Sequence, residues 1–179
     1  SASFGVHAAA PAALEFLTAP AFTPAGAMLA PAPAARVRAA FGNTVTSSSA
    51  TVTVALATNP VAGTLSGATS VSAVNGVATF PGLTLTGATG PNTLLFSTAG
   101  LTADTTSTIT LTSGAASQIA ANSVTTQSDT AGLPVAVPPS VLVRDASNNP
   151  VAGVAVTFTV TGGSGSRLPA TPVLTNASG

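Results

Sequence analysis

The chain contains no cysteine, no tryptophan, no tyrosine and no lysine. Without cysteine there is no disulfide, no thiol nucleophile and no thiolate ligand for a metal. That absence leaves the compartment open, because many proteins outside the cytoplasm also lack disulfides. Charge is scarce as well: four arginines and four acidic residues, 4% of 179, balance to zero, whereas ordinary soluble domains carry roughly 25%. A nucleic-acid surface needs a basic footprint, which this inventory excludes. Electrostatic steering of a charged substrate is excluded with it. No apolar run approaches the roughly 20 residues of a membrane-spanning helix. The opening SASFGVHAAAP has neither the basic start nor the long apolar centre of a signal peptide. A first residue of Ser1 rather than Met reads as a chain processed, excised or incomplete at that end.

What is present is an apolar share of 45% carried mainly by Ala and Val, with seven Phe, 14 Pro and 17 Gly. Ser and Thr supply polarity in place of charge, which suits strands with neutral hydroxylated faces. The density of Pro and Gly excludes long helices and implies many turns. A surface so nearly neutral does little to hold copies or partners apart.

Alternation at period two predicts short strands separated by turn residues. Residues 1–11 have no clear periodicity and read as an arm. Strands are expected at residues 14–18, 35–41, 50–57, 68–74, 77–85, 92–98 and 104–111. In the third of these, Val52, Val54 and Leu56 share one face. Pro and Gly leave residues 20–33 short of regular structure, with residues 30–33 as an extended edge segment. Asn75-Gly76 between alternating runs is the strongest local hairpin signal, because both residues tolerate positive φ. About seven short strands at this spacing are the pattern of an antiparallel β-sandwich. After residues 112–115, strands are expected at 118–126, in two alternating runs on either side of DASNNP within residues 131–160, and at 173–176. Between the last two lies the Gly-rich loop of residues 162–166.

Residues 131–160 resemble residues 25–54. At an offset of 106, without a gap, Gly26, Val37, Arg38, Asn43, Val45, Thr51, Thr53 and Val54 fall on identical residues. The chain therefore reads as a tandem repeat. The second copy lacks a counterpart of residues 77–111. Three explanations stand: a polypeptide that continues, the boundary of an expressed piece, or completion by strands of another chain.

The segment VPPSVLVRDASNNPVAGVAVTFTV carries a family resemblance. A Pro pair (Pro138, Pro139), Val141, Val143 and Asp145, the turn Asn148-Asn149-Pro150-Val151, and Val154, Val156 and Phe158 resemble the bacterial immunoglobulin-like (Big) repeats of the invasin and intimin type. The first copy departs from the pattern at Ala39, where Asp is usual, and at Asn43-Thr44. It regains the pattern in GTLSG (Gly63 to Gly67) and NGVATF (Asn75 to Phe80). The resemblance covers residues 12–179. It implies an all-β fold of tandem immunoglobulin-like antiparallel β-sandwiches, the second incomplete. Residues 1–11 would be an N-terminal arm, 12–113 the first domain, and 114–179 a second one truncated before its last strands. The module serves adhesins, surface stalks and envelope subunits alike, so it implies a fold more than a function.

The chemistry available is thin. Glu15, Asp104, Asp129 and Asp145 are dispersed, where a calcium site wants six to eight oxygens. Asp145 sits at a turn, where capping of the following backbone is its expected role. His7 is the single histidine and lies in the arm, and no G-x-S-x-G elbow supports a triad. Paired-carboxylate glycosidase chemistry would need a mate for Glu15, and none is apparent. Arg36 and Arg38, two apart on a strand, share a face and are expected at the surface. Arg144 occupies the repeat position of Arg38. The Gly-rich loop lacks the Lys-Ser/Thr ending of a phosphate cradle. No catalytic residue, cofactor or metal is expected.

The expectation is a non-catalytic, extracytoplasmic scaffold subunit (periplasmic or at the cell surface). It would pack against protein partners in a larger envelope or membrane complex, or against copies of itself, with no nucleic acid bound and no membrane-spanning segment. Contact residues are expected in the apolar arm and in residues 20–33: Phe4, Val6, Phe22, Met28, Leu29, Pro31 and Pro33. The alternative is a fragment of a surface adhesin or stalk binding a host or cell-surface partner. The lack of Trp and Tyr counts against a glycan ligand.

Overall fold

The computed structural model describes residues 9–60, 62–130, 132–162 and 171–179, and every regular element among them is a β-strand. The chain divides into two compact units, Ser1–Thr112 and Ser113–Gly179.

The first unit contains β1 (Pro11–Thr18), β2 (Phe22–Pro24), β3 (Ala34–Ala39), β4 (Thr51–Thr58), β5 (Thr64–Ser66), β6 (Ser70–Ser72), β7 (Val77–Thr79), β8 (Thr84–Thr86), β9 (Gly90–Ser97), β10 (Asp104–Thr105) and β11 (Ile109–Thr112). One sheet has the order β1-β3-β7 and a larger one the order β2-β11-β9-β4-β6, with β10 also on β9. The pairings are antiparallel except that of β2 with β11. Alternate side chains of both sheets meet in one core: Leu14, Val37 and Ala78 from the first, Val52, Leu94, Phe96 and Ile109 from the second, with Phe80 between. Phe96 lies 6.5 Å from Phe16 and 5.6 Å from Phe80, ring centre to ring centre. The alternation along β4 places Val52 and Val54 in this core, with Leu56 half-buried. The expected strand at 104–111 is instead β10 and β11, both on β9. Thr106 between them is held to Leu94 by its backbone N–H (2.9 Å) and by its Oγ1, which accepts from the Leu94 N–H (3.0 Å).

Asn75-Gly76 makes the expected tight turn, with φ of 51° and 76° and reciprocal hydrogen bonds between Val74 and Val77. The hairpin stops there. Beyond that single bridge β6 pairs with β4 and β7 pairs with β3, so the turn carries the chain from one sheet to the other. Turn chemistry fixes the local reversal, while strand partners are chosen by burial on each face. The strand expected at 77–85 is likewise divided, into β7 and β8, by the Pro81-Gly82 turn. A methyl group on Gly76 would collide with the carbonyl oxygen of Val45, at a φ that L-residues avoid. Gly76→Ala is therefore expected to destabilise the first unit by about 2–3 kcal/mol, read by urea denaturation followed by circular dichroism.

Residues 20–33 are more ordered than the Pro and Gly content predicts. Besides β2, Gly26 N–H bonds to Leu85 O (2.9 Å) and Leu29 N–H to Leu83 O (2.8 Å), and Met28 bridges Thr84. Of the expected arm, residues 1–8 lie outside the described residues and Pro11 already belongs to β1.

The second unit contains β12 (Ala116–Ala121), β13 (Val141–Asp145), β14 (Ala155–Val156) and β15 (Val173–Leu174), paired as β12-β13 and β14-β15. The first alternating run of residues 131–160 keeps only β13 as strand, because Pro134, Pro138 and Pro139 cannot donate to a ladder. The second run keeps only β14, whose one partner, β15, is two residues long. Most of the Gly-rich loop, residues 163–170, lies outside the described residues. Several backbone bonds recur at the offset of 106. Val45 N–H to Val37 O (2.9 Å) matches Val151 N–H to Val143 O (3.0 Å). Ala39 N–H to Asn43 O (2.9 Å) matches Asp145 N–H to Asn149 O (2.9 Å). The bridges Arg38 to Thr44 and Arg144 to Pro150 match in the same way.

Candidate interaction surface

The three described aspartates are committed to holding backbone. Asp145, 2% exposed, closes the turn after β13. Its Oδ1 accepts from the N–H of Ser147 (2.8 Å) and Asn149 (2.9 Å), and its Oδ2 from Gly114 N–H (2.7 Å) and Asn149 Nδ2 (2.9 Å). Burial pushes its pKa up, but the four donors outweigh burial and hold it below the ordinary carboxylate value. Asp104 caps the edge of β1, with Oδ2 accepting from Phe16 N–H (2.8 Å) and Oδ1 from Thr105 N–H (2.8 Å). Asp129 ties a loop through Thr130 N–H (2.9 Å) and Ala136 N–H (2.8 Å).

Glu15 is held by arginines rather than by a second carboxylate. It pairs with Arg36 at 2.8 Å and approaches Arg38 at 3.5 Å across the β1-β3 register, and both arginines are half-buried rather than free at the surface. A cross-strand pair this exposed contributes about 0.5 kcal/mol. Among the described residues no three of His, Cys, Asp and Glu gather as a metal would need, and no helix is long and apolar enough to cross a membrane. His7 lies outside the described residues.

The expected contact residues separate. Phe4 and Val6 lie outside the described residues. Phe22 and Met28 are exposed, at 69% and 67%, and Pro31 is exposed as well. Leu29 and Pro33 are buried in the first unit and present nothing to a partner. Proline-rich composition does not reveal that the backbone of residues 26–29 lies beside β8, which turns Leu29 inward.

A larger apolar surface lies in the second unit. Of the thirteen large apolar side chains exposed among the described residues, eight belong to it; of the twenty buried apolar ones, only Val143 and Val156 do. Register makes the contrast local. Leu14 stands opposite Val37 and is 2% exposed, whereas Ile119 stands opposite Val143 and is 62% exposed. A groove of about 610 Å³ opens beside β13, lined by Val141, Leu142, Val156, Phe158, Val173 and Leu174 among others, and among the described residues no charged side chain lines it. Monomeric surfaces seldom leave contiguous apolar area of this kind uncovered. No single residue type announces this surface; extending the repeat register to β12 would have exposed Ile119 as its marker.

Comparison with protein-family models and with curated proteins returns no match.

Proposed function

We propose that the chain is a non-catalytic, exported scaffold subunit built from tandem immunoglobulin-like modules, which packs against a larger envelope or membrane-protein assembly. The observation that carries this reading is the open apolar face of the second unit, where Ile119 is exposed at a register position that Leu14 buries in the first. Apolar surface of that kind is stabilised by covering it, at about 25 cal/mol per Å² removed from water. The two-sheet arrangement around one core, with the chain crossing between sheets at Asn75-Gly76, supports a sandwich of immunoglobulin type in the first unit. The backbone bonds repeated at an offset of 106 support a tandem module. Carboxylates saturated by backbone donors favour a structural role over chemistry.

Solubilising the native membrane fraction, with affinity capture of the tagged chain followed by size exclusion, tests the reading. Co-elution with an integral membrane complex at fixed stoichiometry is expected. A free monomer that instead binds cells or glycans would overturn the scaffold role in favour of an adhesin.

A further inference from the structure

The face of β1-β3 that carries the ion pairs of the first unit has a counterpart on β12-β13, and there it carries a hollow. In the first unit Glu15 stands opposite Arg36, and Ala13 opposite Arg38. The Glu15 carboxylate is thereby shared between two guanidinium groups, 2.8 Å from Arg36 Nη2 and 3.5 Å from Arg38 Nε. Thr44 Oγ1 accepts a further bond from Arg36 Nη1 (3.2 Å). In the second unit Ile119 stands opposite Val143 as Leu14 does opposite Val37, so Ala120 falls opposite Leu142 and Gln118 opposite Arg144. Glu15 is matched by Ala120, Arg36 by Leu142, and Thr44 by Pro150, while Arg38 is matched by another arginine, Arg144.

These shorter or apolar side chains surround a cavity of about 260 Å³, lined by Gln118, Ala120, Ala121, Leu142 and Arg144. Each of the five has a counterpart on β1 or β3, so the hollow follows from substitution at positions that both units contain. Among the described residues no acidic side chain lines it or pairs with Arg144, whose hydrogen bond runs from Nη1 to Asn148 Oδ1 (3.2 Å). The neighbouring Asp145 carboxylate is taken up by its four donors. Arg144 is half-buried, beside Leu142 and Ala120, and keeps a guanidinium with donors to spare.

We propose that this hollow seats a carboxylate side chain of a partner polypeptide, glutamate in length, in the place that the Glu15 carboxylate takes in the first unit. Arg144 holds the charge, and Ala120 and Leu142 flank the methylene groups. A guanidinium presents its donors as a fork that matches a carboxylate, and pairs more strongly where water is partly excluded. A second copy of the chain is a poor source. Its Glu15 is already paired, and Asp104, Asp129 and Asp145 each hold two or more N–H groups. The source of the incoming side chain rests on the scaffold reading; the seat does not.

The chain has four arginines, so the NMR signals of their Nε–H groups can be assigned one by one by substitution. The probe is the capped tripeptide acetyl-Ala-Glu-Ala-amide, titrated into the 179-residue chain. The Arg144 signal should move saturably, while that of Arg38, beside Glu15, stays in place. Glutamine in place of the probe's glutamate should weaken binding about tenfold. Salt at about 1 M, where the Debye length is about 3 Å, should weaken it as well. Ala120→Glu should move the Arg144 signal with no probe present and abolish the titration, because the chain then supplies the carboxylate itself. Ala120 is exposed, and unchanged Val143 and Val151 amide signals verify that the variant folds. An Arg144 signal that stays still, that responds equally to the glutamine probe, or that titrates unchanged in Ala120→Glu overturns the seat. Propionate binding as tightly as the tripeptide overturns the partner side chain in favour of a small free carboxylate. Movement of the Arg144 signal with protein concentration alone overturns it in favour of a second copy. A silent titration alongside intact co-purification with a membrane complex removes the seat alone and leaves the scaffold reading standing.

Discussion

Asp145→Ala is expected to unfold the second unit, at a cost of about 4 kcal/mol, while leaving the first unit folded. The carboxylate accepts four hydrogen bonds in a site 2% exposed, three of them from backbone N–H groups. Each buried donor left without an acceptor costs about 1–3 kcal/mol. A unit with only two buried large apolar side chains, Val143 and Val156, has little core to offset that loss. Asp145→Asn should cost nearly as much, because its amide nitrogen would face the donors of Gly114 or Asn149.

The pH dependence of this site has a definite sign. Four donors hold the pKa of Asp145 below its ordinary value. Its contribution is therefore complete above the unfolded-state value, about 3.9, and is lost as pH falls through the folded-state value. The second unit should lose stability below about pH 4. With no Trp or Tyr to report fluorescence, two-dimensional NMR of the Val143 and Val151 amides during urea and acid titration is the measurement. Retention of both signals in Asp145→Ala at neutral pH would refute the assignment.

The largest effect expected in the first unit is that of Phe96→Ala, about 4 kcal/mol. Phe96 is fully buried on β9, the strand that carries β4, β10 and β11, and its ring meets Phe16 of the opposite sheet and Phe80 just beyond β7. Truncation removes the contact that joins the two sheets and leaves a void that short neighbours such as Ala35 and Ala78 cannot fill. Phe96→Leu keeps most of the volume and should cost about 1.5 kcal/mol. Calorimetry of the two variants should show the first unit's transition lowered in that order; equal shifts would mean that the ring contacts carry nothing.

Much of the strand content was legible because alternation is local. The run TVTVALAT announces β4, and Asn75-Gly76 announces a reversal that the backbone makes with both residues at positive φ. Which sheet each arm of that reversal joins was not legible, since β6 and β7 find their partners more than ten residues away in sequence. Leu29 and Pro33 looked like exposed residues of an irregular segment. Their burial depends on β8 and Phe80, contacts that proline content does not encode. The capping role of Asp145 was readable from its position before a turn; its bond to Gly114, thirty-one residues earlier, was not. The open face of the second unit became visible only by comparing Leu14 with Ile119, a comparison that requires both registers.

The parallel pairing of β2 with β11 bears on how the first unit responds to load. Strand β1 also runs parallel to the segment leading into β10, held by Leu14 N–H to Thr102 O and Thr102 N–H to Ala12 O. Tension applied between the beginning of β1 and the end of β11 would slide these neighbours past one another lengthwise. Their hydrogen bonds then share the force and must rupture together, instead of opening one at a time from an end. A unit built this way resists extension through the direction of its terminal strands, without a disulfide to lock it.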